Sequence, residues 1–164
     1  MRLGVILSDP TFVPEATDAP ATGDAAPLVA ILEDDPTLAD LAVELCSGLG
    51  LRPIAHAVPA ACLDAFREAP PAALVLDWRL RDQLGAAVFM AVRHRHPQLP
   101  VVCWTASPAW RLPQMIRQDP MTQVVDKAAG TVGFEWAMRR ALALEDREPL
   151  PGGAADVRLL PNPS

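Results

Sequence analysis

Five short apolar runs, each followed by residues at helical spacing, constrain this chain more than any other feature. Leu28–Leu32 is the first, continuous in the manner of a strand buried on both faces. Asp35-Pro36 then reads as an N-cap with proline at the first helical position. Leu38, Leu41, Ala42 and Leu45 follow on one helical face, and Gly48–Gly50 closes the helix. Pro53–Ala57 is a weaker second strand. Pro59 opens a helix carrying Cys62, Leu63 and Phe66, stopped by Pro70-Pro71. Ala73–Leu76 is the third strand, and a loop from Asp77 to Gly85 leads into a helix through Val88, Ala91 and Val92 that ends before Pro97. Pro100–Trp104 is the fourth strand and Thr122–Val125 the fifth, before a last helix through Phe134, Ala137, Met138 and Ala141. Pro108, Pro113 and Pro120 leave room only for a short or irregular helix between those two strands. This alternation predicts an α/β fold in three layers, a parallel sheet with right-handed crossovers and helices on both faces. Ligands of such sheets bind at the carboxyl ends of the strands.

The predicted folded unit is residues 28–145. The flanks 1–27 and 146–164 mix Pro, Gly, Ala, Thr and Asp with little apolar periodicity, so they cannot bury enough surface to offset chain entropy. Both are expected to be mobile tails, with Leu3–Leu7 as a stray edge strand. An acidic C-terminal tail of this kind is no DNA-binding module, so a stand-alone unit is expected. The balance of 14 basic to 20 acidic residues, net −6, argues against a nucleic-acid surface. No run reaches the roughly eighteen apolar residues of a membrane span. The opening Val5–Leu7 run is too short for a signal peptide, so the cytoplasm is the expected compartment. Cys46, Cys62 and Cys103 are odd in number and form no CxxC, so they read as small buried hydrophobes.

The polar residues that follow the strands carry the chemistry. The first strand ends in Glu33-Asp34-Asp35, the third in Asp77, the fourth in Thr105 and the fifth in Asp126-Lys127. Asp35 is accounted for as a helix cap. Carboxylates gathered on one rim repel one another unless a cation neutralises them, and a hard divalent ion with oxygen ligands, Mg²⁺, is the natural candidate. A hydroxyl and an ammonium on the same rim suit an anionic phosphoryl group. Lys127 is the only lysine among the 14 basic residues, the other basic side chains being arginine. Lys and Arg are not equivalent where a compact point charge is needed.

Residues 28–145 resemble a receiver domain of the two-component response regulators. The matching pieces are Val29-Ala30-Ile31-Leu32-Glu33-Asp34-Asp35-Pro36, Leu74-Val75-Leu76-Asp77-Trp78, Gly85, Val101-Val102-Cys103-Trp104-Thr105-Ala106 and Val124-Val125-Asp126-Lys127. The resemblance implies a doubly wound, flavodoxin-like sheet of five parallel strands in the order 2-1-3-4-5. It implies that Asp77 accepts a phosphoryl group from a phosphohistidine. Glu33, Asp34, Asp77 and the backbone carbonyl of Arg79 would hold Mg²⁺. Thr105 would hydrogen-bond the phosphoryl group and Lys127 would pair with one of its oxygens. The implied partners are a histidine kinase or histidine phosphotransfer protein upstream and a protein target downstream, with a homodimer as a further option. Such a chain is no enzyme beyond its own phosphorylation and dephosphorylation.

The sequence also departs from that pattern. Ala128 stands where the family usually has a proline preceded by a cis peptide, a costly bond before alanine. Val124 replaces the usual aromatic residue, and the chain has no Tyr. Arg81 replaces a common loop proline, and prolines break the fourth helix. These departures favour the alternative of a pseudo-receiver, the same fold used as an interaction or dimerisation module without phosphorylation. Arg79 is a candidate to pair with Glu33 or the phosphoryl group. His94 and His96 read as a solvated helix end. Leu76-Asp77-Trp78-Arg79 lacks the second carboxylate of a haloacid-dehalogenase-type phosphatase, and Gly48-Leu49-Gly50 is no dinucleotide fingerprint. A metal-dependent hydrolase would need a longer loop to build a substrate pocket.

Overall fold

The computed structural model describes residues 25–80 and 85–144. The expected tails apart from residues 25–27, the Leu3–Leu7 strand and Arg81 lie outside the described residues. Five strands, β1 (Leu28–Leu32), β2 (Arg52–His56), β3 (Ala73–Leu76), β4 (Val101–Thr105) and β5 (Thr122–Asp126), form one sheet in the order β2-β1-β3-β4-β5. Every neighbouring pair is parallel. The helices are α1 (Pro36–Gly48), α2 (Pro59–Glu68), α3 (Gly85–Arg95), α4 (Gln114–Arg117) and α5 (Gly130–Ala141).

The continuous apolar runs of β1, β3 and β4 serve two cores at once. Ala30, Leu32, Leu74, Leu76, Val101 and Cys103 face α2, α3 and α4, while Val29, Ile31, Ala73, Val75, Val102 and Trp104 face α1 and α5. Each such aliphatic side chain, fully buried, stabilises the fold by about 1.5–3 kcal/mol relative to exposure. The inner strands therefore hold their register firmly, and the rim residues that follow them are fixed in turn.

The boundaries follow the hydrogen bonds. Pro100 has no N–H to give, so β4 begins at Val101, whose N–H bonds Met121 O at 2.9 Å. Arg52 N–H bonds Pro27 O at 2.9 Å, which brings the start of β2 one residue ahead of the expected Pro53. Pro53 is tolerated there because β2 is an edge strand. At α1, the Asp35 side chain accepts from the N–H groups of Thr37 (2.9 Å) and Leu38 (3.2 Å), as expected of the cap. Between β4 and β5 the prolines act as anticipated. A 3-10 turn at Ala109–Arg111 and the four-residue α4 are all that form, anchored by buried Leu112 and Ile116. No peptide bond among the described residues is cis. His94 is exposed, but His96 is not simply solvated: its ring meets Phe66 edge-on at 5.9 Å.

Candidate functional site

Parallel strands in this register bring Glu33, Asp34, Asp77, Thr105 and Lys127 to one end of the sheet. Glu33 N–H bonds His56 O (3.1 Å) and Asp77 N–H bonds Leu32 O (2.9 Å), so both residues continue the sheet ladder one step beyond their strands. One carboxylate oxygen from each of Glu33, Asp34 and Asp77 lies within 4.8 Å of the others. Glu33 is 3% exposed, Asp77 5% and Thr105 fully buried. Lys127 reaches across from β5. Its Nζ lies 2.6 Å from Glu33 Oε2 and 3.2 Å from Asp77 Oδ2. The remaining oxygens are used locally. Glu33 Oε1 accepts from Asp35 N–H (3.2 Å), and Asp77 Oδ1 accepts from Arg79 N–H (3.2 Å).

One ammonium thus serves two nearly buried carboxylates, which it cannot neutralise together. Burial pushes the Glu33 carboxyl above its ordinary range; the Lys127 hydrogen bond opposes this, and the charge of Asp77 adds to it. On the opposite face of β4 from α5, the Cys103 thiol is pushed up to about 12, by burial first and Asp77 next, so it is inert as a nucleophile.

Two of the side chains expected at the site lie away from the cluster. Thr105 Oγ1 accepts from Ser107 N–H at 3.1 Å, which fixes the hydroxyl at the rim. Asp126 is exposed and its Oδ1 accepts from Ala128 N–H (2.8 Å), so that carboxylate caps the next turn instead of joining the cluster. The cation on Glu33 is Lys127 and not Arg79; the Arg79 residue is exposed and meets the site through its backbone N–H. Gly85 is required by close approach. A Cβ there would stand 2.9 Å from Asp77 O and 3.0 Å from Trp78 Cα, backbone atoms that cannot give way cheaply. Trp104 was not signalled by the sequence beyond its place in an apolar run. Its ring lies under Lys127, with Nζ 5.3 Å from a ring centroid.

No family model matches the sequence, and no curated protein is similar to it in sequence. Solved structures are similar. A sensor protein from Polaromonas sp. JS666 is 25% identical, with a TM-score of 0.63 over 72% of this chain and 97% of that one. Chemotaxis protein CheY4 of Vibrio cholerae is 16% identical, with a TM-score of 0.66 over 72% of this chain and 100% of its own. Response regulator TrrA of Thermotoga maritima, solved in complex with Mg²⁺ and BeF, is 16% identical, with a TM-score of 0.63 over 71% and 99% of the two chains. The fold, with its all-parallel sheet in the order 2-1-3-4-5, is the flavodoxin-like fold of response-regulator receiver domains. In this chain it carries the acidic cluster of Glu33, Asp34 and Asp77 at the carboxyl rim of the sheet.

The donor set fits Mg²⁺. All three grouped side chains offer hard carboxylate oxygen, no thiolate or imidazole among the described residues belongs to the group, and one lysine is shared by Glu33 and Asp77. Among the described residues, no helix is long and apolar enough to cross a membrane.

Proposed function

We propose that this chain is a phosphoacceptor signalling domain in which Asp77 takes a phosphoryl group from a phosphohistidine on a kinase or phosphotransfer protein. The observation that supports this most is the convergence of Asp77, Glu33, Asp34 and Lys127 from three strands onto one rim. An Asp77 carboxylate oxygen attacks phosphorus as the P–N bond of the donor breaks. The product is an acyl phosphate on Asp77, and the donor imidazole, already protonated on its other ring nitrogen, keeps the P–N electron pair and leaves as the neutral ring. Glu33, Asp34, Asp77 and the carbonyl of Arg79 would hold Mg²⁺, which when bound neutralises charge on the transferring group. Lys127 bears on the same oxygens as a point charge, and the Thr105 hydroxyl would donate a hydrogen bond to a phosphoryl oxygen. Transfer of this kind needs positioning and charge neutralisation more than covalent chemistry from the protein.

Signalling would proceed by protein–protein contact with a downstream target. A second reading, the pseudo-receiver, is favoured by the four-residue α4 and by Val124, which offers no aromatic ring to move. The two part on one experiment. Purified protein is incubated with Mg²⁺ and a small phosphodonor and its intact mass is measured, with Asp77→Asn alongside. A single Mg²⁺-dependent phosphoryl adduct, absent from the variant, is the expected result. No adduct with any donor would leave the pseudo-receiver.

A further inference from the structure

We propose that Trp104 is a positioning residue for Lys127: its indole face holds the ammonium over Glu33 and Asp77. This rests on the phosphoacceptor reading of the same rim. A lysine stem is long and flexible, and its ammonium gains by swinging out to water. Here the Lys127 side chain is only 13% exposed. Two of its neighbours are the carboxylates in front, at 2.6 and 3.2 Å. The third is the Trp104 ring, at 5.3 Å, within the range of a cation–π contact and on the aromatic side chain that makes the strongest one.

Two further observations point the same way. The Trp104 ring is itself held, because Phe134, fully buried on α5, meets it edge-on with centroids 5.0 Å apart. Phe134, Trp104 and Lys127 therefore form a continuous stack from the core to the rim. The indole is also an awkward choice for this place. Trp104 is 3% exposed and its Nε1 is buried without a hydrogen-bond partner. An orphaned donor of this kind destabilises a core, and a phenyl or aliphatic side chain would avoid it. The π face toward Lys127 is what the indole offers in exchange. The stack also supplies an aromatic element at the rim in a chain whose Val124 lacks one.

The chain's single lysine makes the test clean. Lysine-selective isotope labelling gives one ε-methylene NMR signal, that of Lys127. Wild type is expected to show it shifted upfield by the ring current of Trp104. Trp104→Phe is expected to keep an upfield shift, and Trp104→Leu to lose it. In parallel, Mg²⁺-dependent phosphoryl uptake is expected to fall about 2–30-fold in Trp104→Leu, the fold-change of one cation–π contact, and to recover to within about threefold of wild type in Trp104→Phe. An unshifted Lys127 signal in the wild type would overturn the proposal, as would uptake by Trp104→Leu equal to wild type. If Trp104→Leu does not fold, the wild-type and Trp104→Phe signals still decide. A wild type that shows the shifted Lys127 signal but takes up no phosphoryl group would leave the contact standing and remove the phosphoacceptor reading instead.

Discussion

Arg93 at the amino-terminal end of the sheet and Lys127 at the carboxyl end each tie distant segments of the described chain together, and they are satisfied differently. Arg93 closes the last turn of α3. Its guanidinium donates five hydrogen bonds: two to Asp119 Oδ2 (2.9 and 2.7 Å), and one each to Leu99 O, Met121 O and Thr122 Oγ1. One carboxylate and three neutral acceptors match one planar cation, and each of its three nitrogens is engaged. Lys127 has the opposite balance, one ammonium between the two carboxylates of Glu33 and Asp77. A cation matched by one carboxylate is a structural device, since no net charge is left for a ligand to satisfy. A cluster with more negative charge than its cation can balance has a standing affinity for a further cation. The choice of side chain agrees, a rigid fork at the closed end and a point charge on a movable stem at the open one.

That contrast is open to direct test. The largest effect is expected from Lys127→Met, which should slow Mg²⁺-dependent phosphoryl uptake about 10²–10³-fold, the range seen when one donor to a developing charge is removed. Initial rates against a small phosphodonor measure it. Arg93→Ala should do the reverse, removing about 3 kcal/mol of stability by leaving Asp119 without its partner, while the affinity for Mg²⁺ stays as in wild type. Urea unfolding with and without Mg²⁺ checks both quantities; if Arg93→Ala changed the affinity for Mg²⁺, the two ends would not be independent.

Gly85→Ala should cost about 1–3 kcal/mol, because its Cβ would press on Asp77 O and Trp78 Cα. Thermal melting checks it, and an unchanged midpoint would mean that the loop yields.

The smallest effect concerns pH. Burial raises the folded-state pKa of Glu33 above its ordinary 4.5, so between 4.5 and the raised value the folded protein holds more protons than the unfolded chain. Without Mg²⁺, this group's contribution to stability therefore falls as pH rises through that window. Glu33→Gln should flatten the slope, which unfolding titrations at several pH values would reveal.

The same contrast explains what was legible in the sequence. Glu33, Asp34, Asp77, Thr105 and Lys127 stand at the ends of strands whose continuous apolar runs mark burial on both faces. Once the strands are parallel, the rim assembles itself. Arg93 and Asp119 are 26 residues apart and meet only because α3 docks across the sheet, and neither has a local pattern to announce it. Asp126 was legible as a rim carboxylate but not as a turn cap, because capping depends on the path of the next three residues. The start of β2 was off by one residue because an exposed edge strand lacks the two-sided burial that fixes β1 and β3, and β4 lies one residue beyond the expected Pro100–Trp104 because Pro100 has no N–H to give. Trp104 was hidden for the opposite reason. In a run of buried residues, an aromatic ring reads as core, and its contact with Lys127 is a matter of side-chain direction.

The central claim is that the acidic rim around Asp77 is a phosphoacceptor site, and peptide-level mass mapping after Mg²⁺ and phosphodonor treatment tests it most directly. The expected result is one phosphoryl group on the peptide containing Asp77, formed only with Mg²⁺ and lost in Asp77→Asn. A phosphoryl group on any other peptide, or none on a protein that binds Mg²⁺ normally, would contradict it.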